Sequence, residues 1–263
     1  MKRIPLLVAI FLNITFSIAQ SKKGELEAVI KKNKIKICTS YYFKNEKDSV
    51  IIKEELYDTE GFLMSSKMLY EKDIYTIKDS FFYDKNHYLI QKITYNKLVQ
   101  TDVSTYINDE KGNMLQQNYV SDTFSQNVYF YYNNNQQFSK SITYYSNGDS
   151  STFDAIYDKN GLRIKNIFYD KENGESTIVY QYNRASQLIK RIDKSKISES
   201  TMEYKYDVAG NVNEFKMESI YGNKKIYTKN ISSYYAKGLV FETVHFMHHK
   251  PYAASKKYYT LYK

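Results

Sequence analysis

Apolar and polar residues alternate along most of this chain in short runs, and clusters of turn-forming residues separate the runs. In the run that ends at Tyr157, Phe153 and Ala155 would share a face with that tyrosine, because side chains alternate along a strand. Residues 158–161 read Asp-Lys-Asn-Gly. Asp can bond its own backbone in a turn, and Gly can adopt a positive φ. A second run, 162–169, follows. The pattern predicts a β-hairpin rather than a helix.

A short phrase marks each hairpin: usually a Tyr, then Asp or Asn, then Gly or a polar residue, then an apolar run. It occurs eight times, with successive starts 24 to 28 residues apart. Such a regular period is typical of a repeat architecture. The sequence therefore predicts an all-β protein, an antiparallel β-meander built from about eight two-stranded repeats, as a curled sheet or an open or half barrel. The phrases begin at Tyr57, Tyr83, Asn108, Tyr132, Tyr157, Tyr182, Tyr206 and Tyr234.

With the repeat tyrosine as position 0, the even positions after it share a face in a regular strand. Positions +6, +10 and +12 are mostly apolar, whereas every copy has a polar or charged residue at position +8. This polar ladder argues against a sixteen-stranded outer-membrane barrel, because a lysine at mid-membrane costs about 2–4 kcal/mol on a lipid-facing strand. The residues at position +8 are Ser65, Gln91, Gln116, Lys140, Lys165, Lys190, Glu214 and Glu242.

The first nineteen residues have the features of a secretory signal peptide. Lys2 and Arg3 precede a mostly apolar stretch, 5–18, and Ser17 and Ala19 fit the −3 and −1 positions of a cleavage site. We expect cleavage after Ala19 and export, which would make the protein secreted, periplasmic or cell-surface in a bacterium. No later stretch is long and apolar enough to cross a membrane as a helix, so no membrane-spanning segment is expected after cleavage.

These features divide the chain into four segments. Residues 1–19 are the signal peptide, 20–48 a lead-in with irregular first strands, 49–249 the hairpin repeats, and 250–263 a C-terminal closing strand. Divergent ends are expected in a repeat array, because terminal units must cap it. Cys38 is the one cysteine, which excludes an internal disulfide, and we interpret it as a small, half-buried strand residue.

Composition favours a binding surface over a catalytic site. The chain has 29 Tyr, no Trp and a net charge of +9. Tyr offers a large contact area at low conformational cost, and positive charge attracts anionic partners. The predicted partners are an acidic glycan or an envelope protein, and no nucleic acid. Because the charges are scattered, a merely solvated surface is the alternative. The candidate binding strip consists of Lys140, Lys165, Lys190, Tyr144, Tyr169 and Tyr180.

Motifs for metal or cofactor chemistry are sparse. His245 and His249 would share a strand face, but they lie about 13 Å apart along an extended backbone, which is too far for one tetrahedral ion. They are weak metal candidates, and no metal site is expected. The sequence contains no phosphate-binding loop, no nucleophile elbow and no EF-hand spacing. We expect no cofactor and no enzymatic activity.

Three of the phrases carry Tyr-Asp-x-x-Gly followed shortly by an apolar residue, at Tyr57, Tyr157 and Tyr206. Over roughly residues 50–249 the chain therefore resembles the YD-repeat (Rhs-type) family, as a short secreted member. The resemblance implies a strand–turn–strand unit. Long members of that family form β-sheet shells that encapsulate a toxin, often with a self-cleaving core domain, and this chain has no recognisable toxin or protease segment.

The sequence favours an exported, non-enzymatic β-repeat protein that binds a cell-surface glycan or an envelope protein through an extended, Tyr-rich sheet. The resemblance adds an alternative, an accessory or immunity-type component of an Rhs-like toxin system.

Overall fold

The computed structural model describes residues 28, 30–43, 49–70, 75–97, 99–222, 224–234, 240–248 and 250–261. The predicted signal peptide, 1–19, lies outside these ranges. The described residues form eighteen strands in one antiparallel sheet. The strands are β1 (Ile35–Phe43), β2 (Ser49–Tyr57), β3 (Leu63–Tyr70), β4 (Tyr75–Tyr83), β5 (Leu89–Asn96), β6 (Val99–Asn108), β7 (Met114–Ser121), β8 (Ser125–Tyr132), β9 (Phe138–Tyr145), β10 (Ser150–Tyr157), β11 (Arg163–Asp170), β12 (Gly174–Tyr182), β13 (Leu188–Lys194), β14 (Ser198–Tyr206), β15 (Val212–Tyr221), β16 (Lys224–Tyr234), β17 (Val240–Met247) and β18 (Lys250–Leu261).

The sheet closes on itself. Each strand pairs with the next along the chain, and β1 pairs with both β2 and β18. The predicted antiparallel meander is confirmed. The prediction of a curled sheet or an open or half barrel is wrong, because the structure is a closed eighteen-stranded barrel. Closure removes the two unpaired edges that an open sheet would present to other chains.

The barrel consists of nine equivalent hairpins. Eight are continuous in sequence, from β2–β3 to β16–β17, and the ninth joins β18 to β1. Tyr259 of β18 takes the place of the repeat tyrosine in this ninth hairpin. Its hydroxyl donates to the carbonyl of Val240 at 3.1 Å, as the hydroxyl of Tyr157 donates to the carbonyl of Phe138 at 2.6 Å. Strands far apart in sequence therefore complete one repeat together.

In seven of the phrases, an Asp or Asn builds the tight turn. The Oδ1 atom of Asp158 accepts the backbone N–H groups of Asn160 and Leu162 at 2.9 and 2.8 Å. Gly161 adopts a φ of 79° between them. The side-chain oxygen of Asn is an equivalent acceptor, which explains why either Asp or Asn occupies this position in these copies. The same pair of bonds is made by Asp58, Asp84, Asp109, Asn133, Asn183 and Asp207.

A β-bulge follows each tight turn and changes which positions face inward. Tyr157 pairs with Arg163, but Ile156 pairs with Lys165, so Ile164 is an extra residue on β11. Positions +9 and +11 therefore face inward with the repeat tyrosine, and +8, +10 and +12 face outward. The expectation that position +8 shares the tyrosine's face is wrong. All eight continuous hairpins shift register at the same place.

The pairing register fixes the size of the barrel. Asp154 on β10 lies opposite Ile167 on β11, which in turn lies opposite Thr177 on β12. The residue of β12 at the same repeat position as Asp154 is Val179, two residues beyond Thr177. Every one of the nine hairpins shows this shift of two residues, which gives a shear of eighteen residues for eighteen strands. A strand tilt of about 35° and a Cα radius of about 17 Å follow for a circular barrel. Equivalent residues then lie at one height around the wall.

The repeat tyrosines tie neighbouring hairpins together from the inside. The ladder between β9 and β10 ends at the Lys140–Asp154 pair, beyond which the hydroxyl of Tyr157 reaches the carbonyl of Phe138. Where Asn108 replaces the tyrosine, its Nδ2 donates to the corresponding carbonyl, that of Leu89, at 2.9 Å. Equivalent bonds link Tyr83 to Leu63, Tyr132 to Met114, Tyr182 to Arg163, Tyr206 to Leu188 and Tyr234 to Val212.

The apolar core lies along the inner wall. Its main cluster consists of Phe153, Phe168, Ile178 and Tyr180 on β10 to β12, each at most 9% exposed. Phe138 stacks on Phe153, with ring centroids 5.6 Å apart. These residues belong to one arc of the barrel, so the wall buries its own aromatic rings between neighbouring strands.

A short helical stretch before β1 packs against the inner wall. Ile30, in this stretch, is 2% exposed and clusters with Ile35, Cys38 and Tyr57. Cys38 is therefore buried rather than half-buried, and burial raises the pKa of its thiol. Within the described ranges, no helix has the length and apolar character needed to cross a membrane.

The buried tyrosines predict a loss of stability at high pH. Burial raises the pKa of Tyr106 and of Tyr180 to about 12, against about 10 in an unfolded chain. Their contribution is therefore complete below pH ~10 and is lost as pH rises toward ~12, about 1 kcal/mol each by pH ~11. Urea unfolding at pH ~8 and ~11 measures this loss. Tyr106→Phe and Tyr180→Phe should reduce the difference, and a difference unchanged in both variants would contradict the assignment.

Candidate functional site

The outer wall has two contrasting sectors, and the sector from β14 to β18 carries paired charges. Glu214 forms ion pairs with Lys205, Lys216 and Lys229, at N–O distances of 2.9, 3.4 and 2.6 Å. The hydrogen bond from Lys229, together with that from Lys205, lowers the pKa of Glu214 to about 2. Two further pairs are Lys225–Glu218 and Lys256–Glu242. Charge in this sector is compensated within the protein.

The sector from β8 to β11 exposes aromatic rings instead. Tyr129 and Tyr131 on β8, Tyr144 on β9 and Tyr169 on β11 face outward and are 37–52% exposed. Tyr129 and Tyr144 meet edge to face, with ring centroids 5.9 Å apart. Ile156, 40% exposed, adds apolar area on β10 between them. This group of exposed rings is therefore a candidate interaction surface.

Two lysines lie among these rings. Lys140 is in register with Tyr131 and Asp154, and Lys165 with Ile156. Neither lysine forms an ion pair with any residue that the structure describes. Their ammonium groups are therefore available to a partner. The outer patch, as named below, consists of Tyr129, Tyr131, Lys140, Tyr144, Lys165 and Tyr169.

The structure places the six residues of the predicted strip on both faces of the wall. Lys140, Lys165, Tyr144 and Tyr169 lie together on the outer face, and Lys190 follows on the outer face of β13, opposite Gln181 and Glu203. Tyr180 lies on the inner wall, 6% exposed, where Asn166 donates to its hydroxyl at 2.7 Å.

Two residues of the outer patch were missed by the sequence reasoning. Tyr129 and Tyr131 belong to an uninterrupted aromatic run, 129–132, in which apolar alternation does not distinguish the faces. Counting back from the repeat tyrosine Tyr132 would have identified them, because odd positions before it face outward.

His245, the one metal candidate that the structure describes, shows no metal-site geometry. His245 faces the inner wall, where its Nδ1 lies 3.0 Å from the Oδ1 of Asn230 and its Nε2 lies 3.2 Å from the Oγ of Ser255. His249 falls outside the described residues. In the part of the chain that the structure describes, no three His, Cys, Asp or Glu side chains are placed to hold a metal ion.

Charged groups on the inner wall bind one another. Arg191 donates from Nε and Nη2 to the two carboxylate oxygens of Asp193 at 2.7 and 2.6 Å. Lys92 pairs with Asp79 at 3.0 Å. These side chains stabilise the inner wall.

Comparisons with known proteins give likenesses of shape only. The sequence matches no protein-family model and no curated protein. Among solved structures, a porin-like protein from Bacteroides uniformis is 11% identical, with a TM-score of 0.49 over 86% of this chain and 98% of that one. The TcdB2-TccC3-Cdc42 complex gives 10% identity and a TM-score of 0.38, over 80% of this chain and 13% of that one. At such scores neither likeness indicates an activity or a ligand.

Proposed function

We propose that the protein is an exported, non-enzymatic barrel that binds an acidic glycan on its outer patch. The observation that carries the proposal is the contrast between the two outer sectors. The β14–β18 sector compensates its own charges, whereas the β8–β11 sector combines four exposed tyrosines with two lysines that form no ion pair with any described residue.

An acidic glycan fits this combination of side chains. Sugar rings stack on exposed aromatic rings, which lose little conformational freedom on binding. Acidic groups on the glycan would complement Lys140 and Lys165. A second copy of this chain fits less well, because docking of two outer patches would bring their lysines together and like charges repel.

Export rests on the signal-peptide features of residues 1–19. The outer wall is consistent with contact to water: Glu214 with its lysines on β14 to β16, and Lys140 and Lys165 on β9 and β11, lie on outward-facing positions. A lipid-facing wall would have to bury such charges at a cost of about 2–4 kcal/mol for each lysine near mid-membrane. The proposal of no enzymatic activity draws on the inner wall, where Arg191 is paired with Asp193 and Lys92 with Asp79.

Retention on immobilised polygalacturonate, an acidic polysaccharide, tests the function. Changing Lys140, Lys165 and Lys190 together to Gln should abolish retention at moderate salt. The melting temperature should change little, because surface substitutions are usually within about 0.5 kcal/mol each. The control changes three exposed turn lysines, Lys85, Lys111 and Lys159, to Gln and should retain binding.

A variant that should bind polygalacturonate more tightly completes the test. Asp154 faces outward beside Lys140, so Asp154→Asn should increase retention by removing a charge that repels the ligand. Equal losses in the two lysine triples would show that general surface charge binds polygalacturonate. That result would overturn the outer patch as the binding site.

A further inference from the structure

Two strands of the outer patch carry the same outward triplet. β9 presents Lys140, Ile142 and Tyr144, and β11 presents Lys165, Ile167 and Tyr169. In both strands the lysine and isoleucine are half-buried and the tyrosine is exposed, at 50% and 52% respectively. Each triplet places a cation at one end, an apolar side chain in the middle and an exposed ring at the other end. We call these triplets the β9 unit and the β11 unit.

The two units lie at one height around the barrel. They occupy equivalent positions in successive hairpins, and the register shift of two residues per hairpin brings equivalent positions level. Equivalent Cα atoms of β9 and β11 are two strand spacings apart and are shifted by two residues along the strand, so they lie about 12 Å from each other. Because the outer face is convex, the side-chain tips are roughly 15 Å apart. The patch is thus a short periodic track that runs around the barrel.

The track is bounded on both sides. β7 presents Gln116, Asn118 and Val120 at the equivalent positions, with neither a cation nor a ring. β13 presents Lys190 and Ile192, but its third position is Lys194, which pairs with Glu199 at 3.8 Å. The complete combination of cation and exposed ring therefore occurs in two adjacent hairpins of this arc.

We infer that the ligand is a linear acidic polymer that lies around the barrel and spans both units at once. An acidic group of the polymer contacts the lysine of each unit, and a sugar ring stacks on its tyrosine. Acidic groups that recur with a spacing of roughly 12–15 Å fit the two lysines. This inference rests on the proposed function and adds that binding is bivalent. Two linked contacts bind more tightly than either contact alone, by about 10²-fold or more when the linkage fits.

Oligogalacturonates of two lengths test bivalency by titration calorimetry. A trimer reaches one unit, and an octamer can span both. The unchanged protein should bind the octamer at least about tenfold more tightly than the trimer. Disabling either unit, by Lys140→Gln with Tyr144→Ser or by Lys165→Gln with Tyr169→Ser, should reduce octamer affinity to near that of the trimer. Trimer affinity should change about twofold at most, because one intact unit remains.

A gain-of-function variant makes the test independent of damage to the fold. Gln116→Lys with Val120→Tyr would build a third unit on β7, next to the β9 unit. Val120 is 55% exposed, so the new ring has room. The octamer should bind this variant more tightly than it binds the unchanged protein. The dissociation constant of the trimer for each unit should stay the same. The same two types of change split between hairpins, Ser65→Lys on β3 with Val120→Tyr on β7, supply equal charge and aromatic area without a complete unit.

The outcomes separate this inference from the proposed function. Equal affinity for octamer and trimer, or equal gains in the two constructed variants, would overturn bivalent binding but leave acidic-glycan binding in place. If the unchanged protein binds neither oligomer and is not retained on polygalacturonate, both the inference and the proposed function fail. Length-dependent binding that either unit knockout removes supports both.

Discussion

Removal of β1 should prevent formation of the monomeric barrel. A variant that lacks residues 28–43 leaves β2 and β18 without their partner, although the other seventeen strands are present. β18 is twelve residues long, and its exposed backbone groups would pair with other chains. We expect association on size-exclusion chromatography and loss of the cooperative thermal transition seen by circular dichroism.

A circular permutant in which β1 follows β18 in the sequence should form the monomeric barrel again. The two strands of the ninth hairpin pair for two residues beyond Tyr259, and Leu261 pairs with Ile35 next to a bulge, as Tyr157 pairs with Arg163. A copy of residues 158–162 inserted between Leu261 and Ile35 would therefore supply the missing tight turn. New ends can be placed between Asp122 and Thr123, both of which are exposed. We expect a strand-rich monomer with a cooperative thermal transition. Failure of the permutant to fold, or a monomeric deletion variant with unchanged melting, would contradict the ninth hairpin.

The ninth hairpin shows why closure could not be predicted from the sequence. Its two strands are more than two hundred residues apart, so no turn phrase joins them. Tyr259 is followed by Thr260 and Leu261 in place of an Asp-containing turn. The repeat tyrosines, the Asp or Asn acceptors and the turn glycines are local features, and these could be read from the sequence. Closure depends on a register shift that accumulates over nine units, which no single unit reveals.

The bulge after each turn accounts for the misassigned faces. One extra residue reverses every later side chain on a strand, since the side-chain period is two. Counting even positions from Tyr157 therefore predicted Lys165 on the same face as the repeat tyrosines, whereas the structure places it on the outer face of the barrel. Tyr144 and Tyr169 stay on the same face as Lys140 and Lys165, because each pair lies on one strand beyond its bulge. Relations within a strand could thus be predicted, and relations across a turn could not.

Gly112→Ala should be among the most destabilising single methyl additions in the tight turns. Gly112 has a φ of 82°, where an L residue with a Cβ is strained by about 1–2 kcal/mol. A Cβ at this position would also lie 2.8 Å from Cζ of Tyr88 and closer still to its Cε1. Overpacking of this kind costs about 1–3 kcal/mol, so the total loss should be about 2–4 kcal/mol. For a barrel of this size the melting temperature should fall by roughly 5–15 °C.

Gly148→Ala separates the two causes of this loss. Gly148 has a φ of 86°, but a Cβ there would meet no atom within 4 Å, so the variant should show the backbone strain alone. Tyr88→Ala combined with Gly112→Ala should cost less than the sum of the two single changes, because removing the ring removes the clash. Equal losses for Gly112→Ala and Gly148→Ala, with no coupling to Tyr88, would mean that the ring moves aside freely. In that case contact between neighbouring turns would contribute little to the rigidity of this end of the barrel.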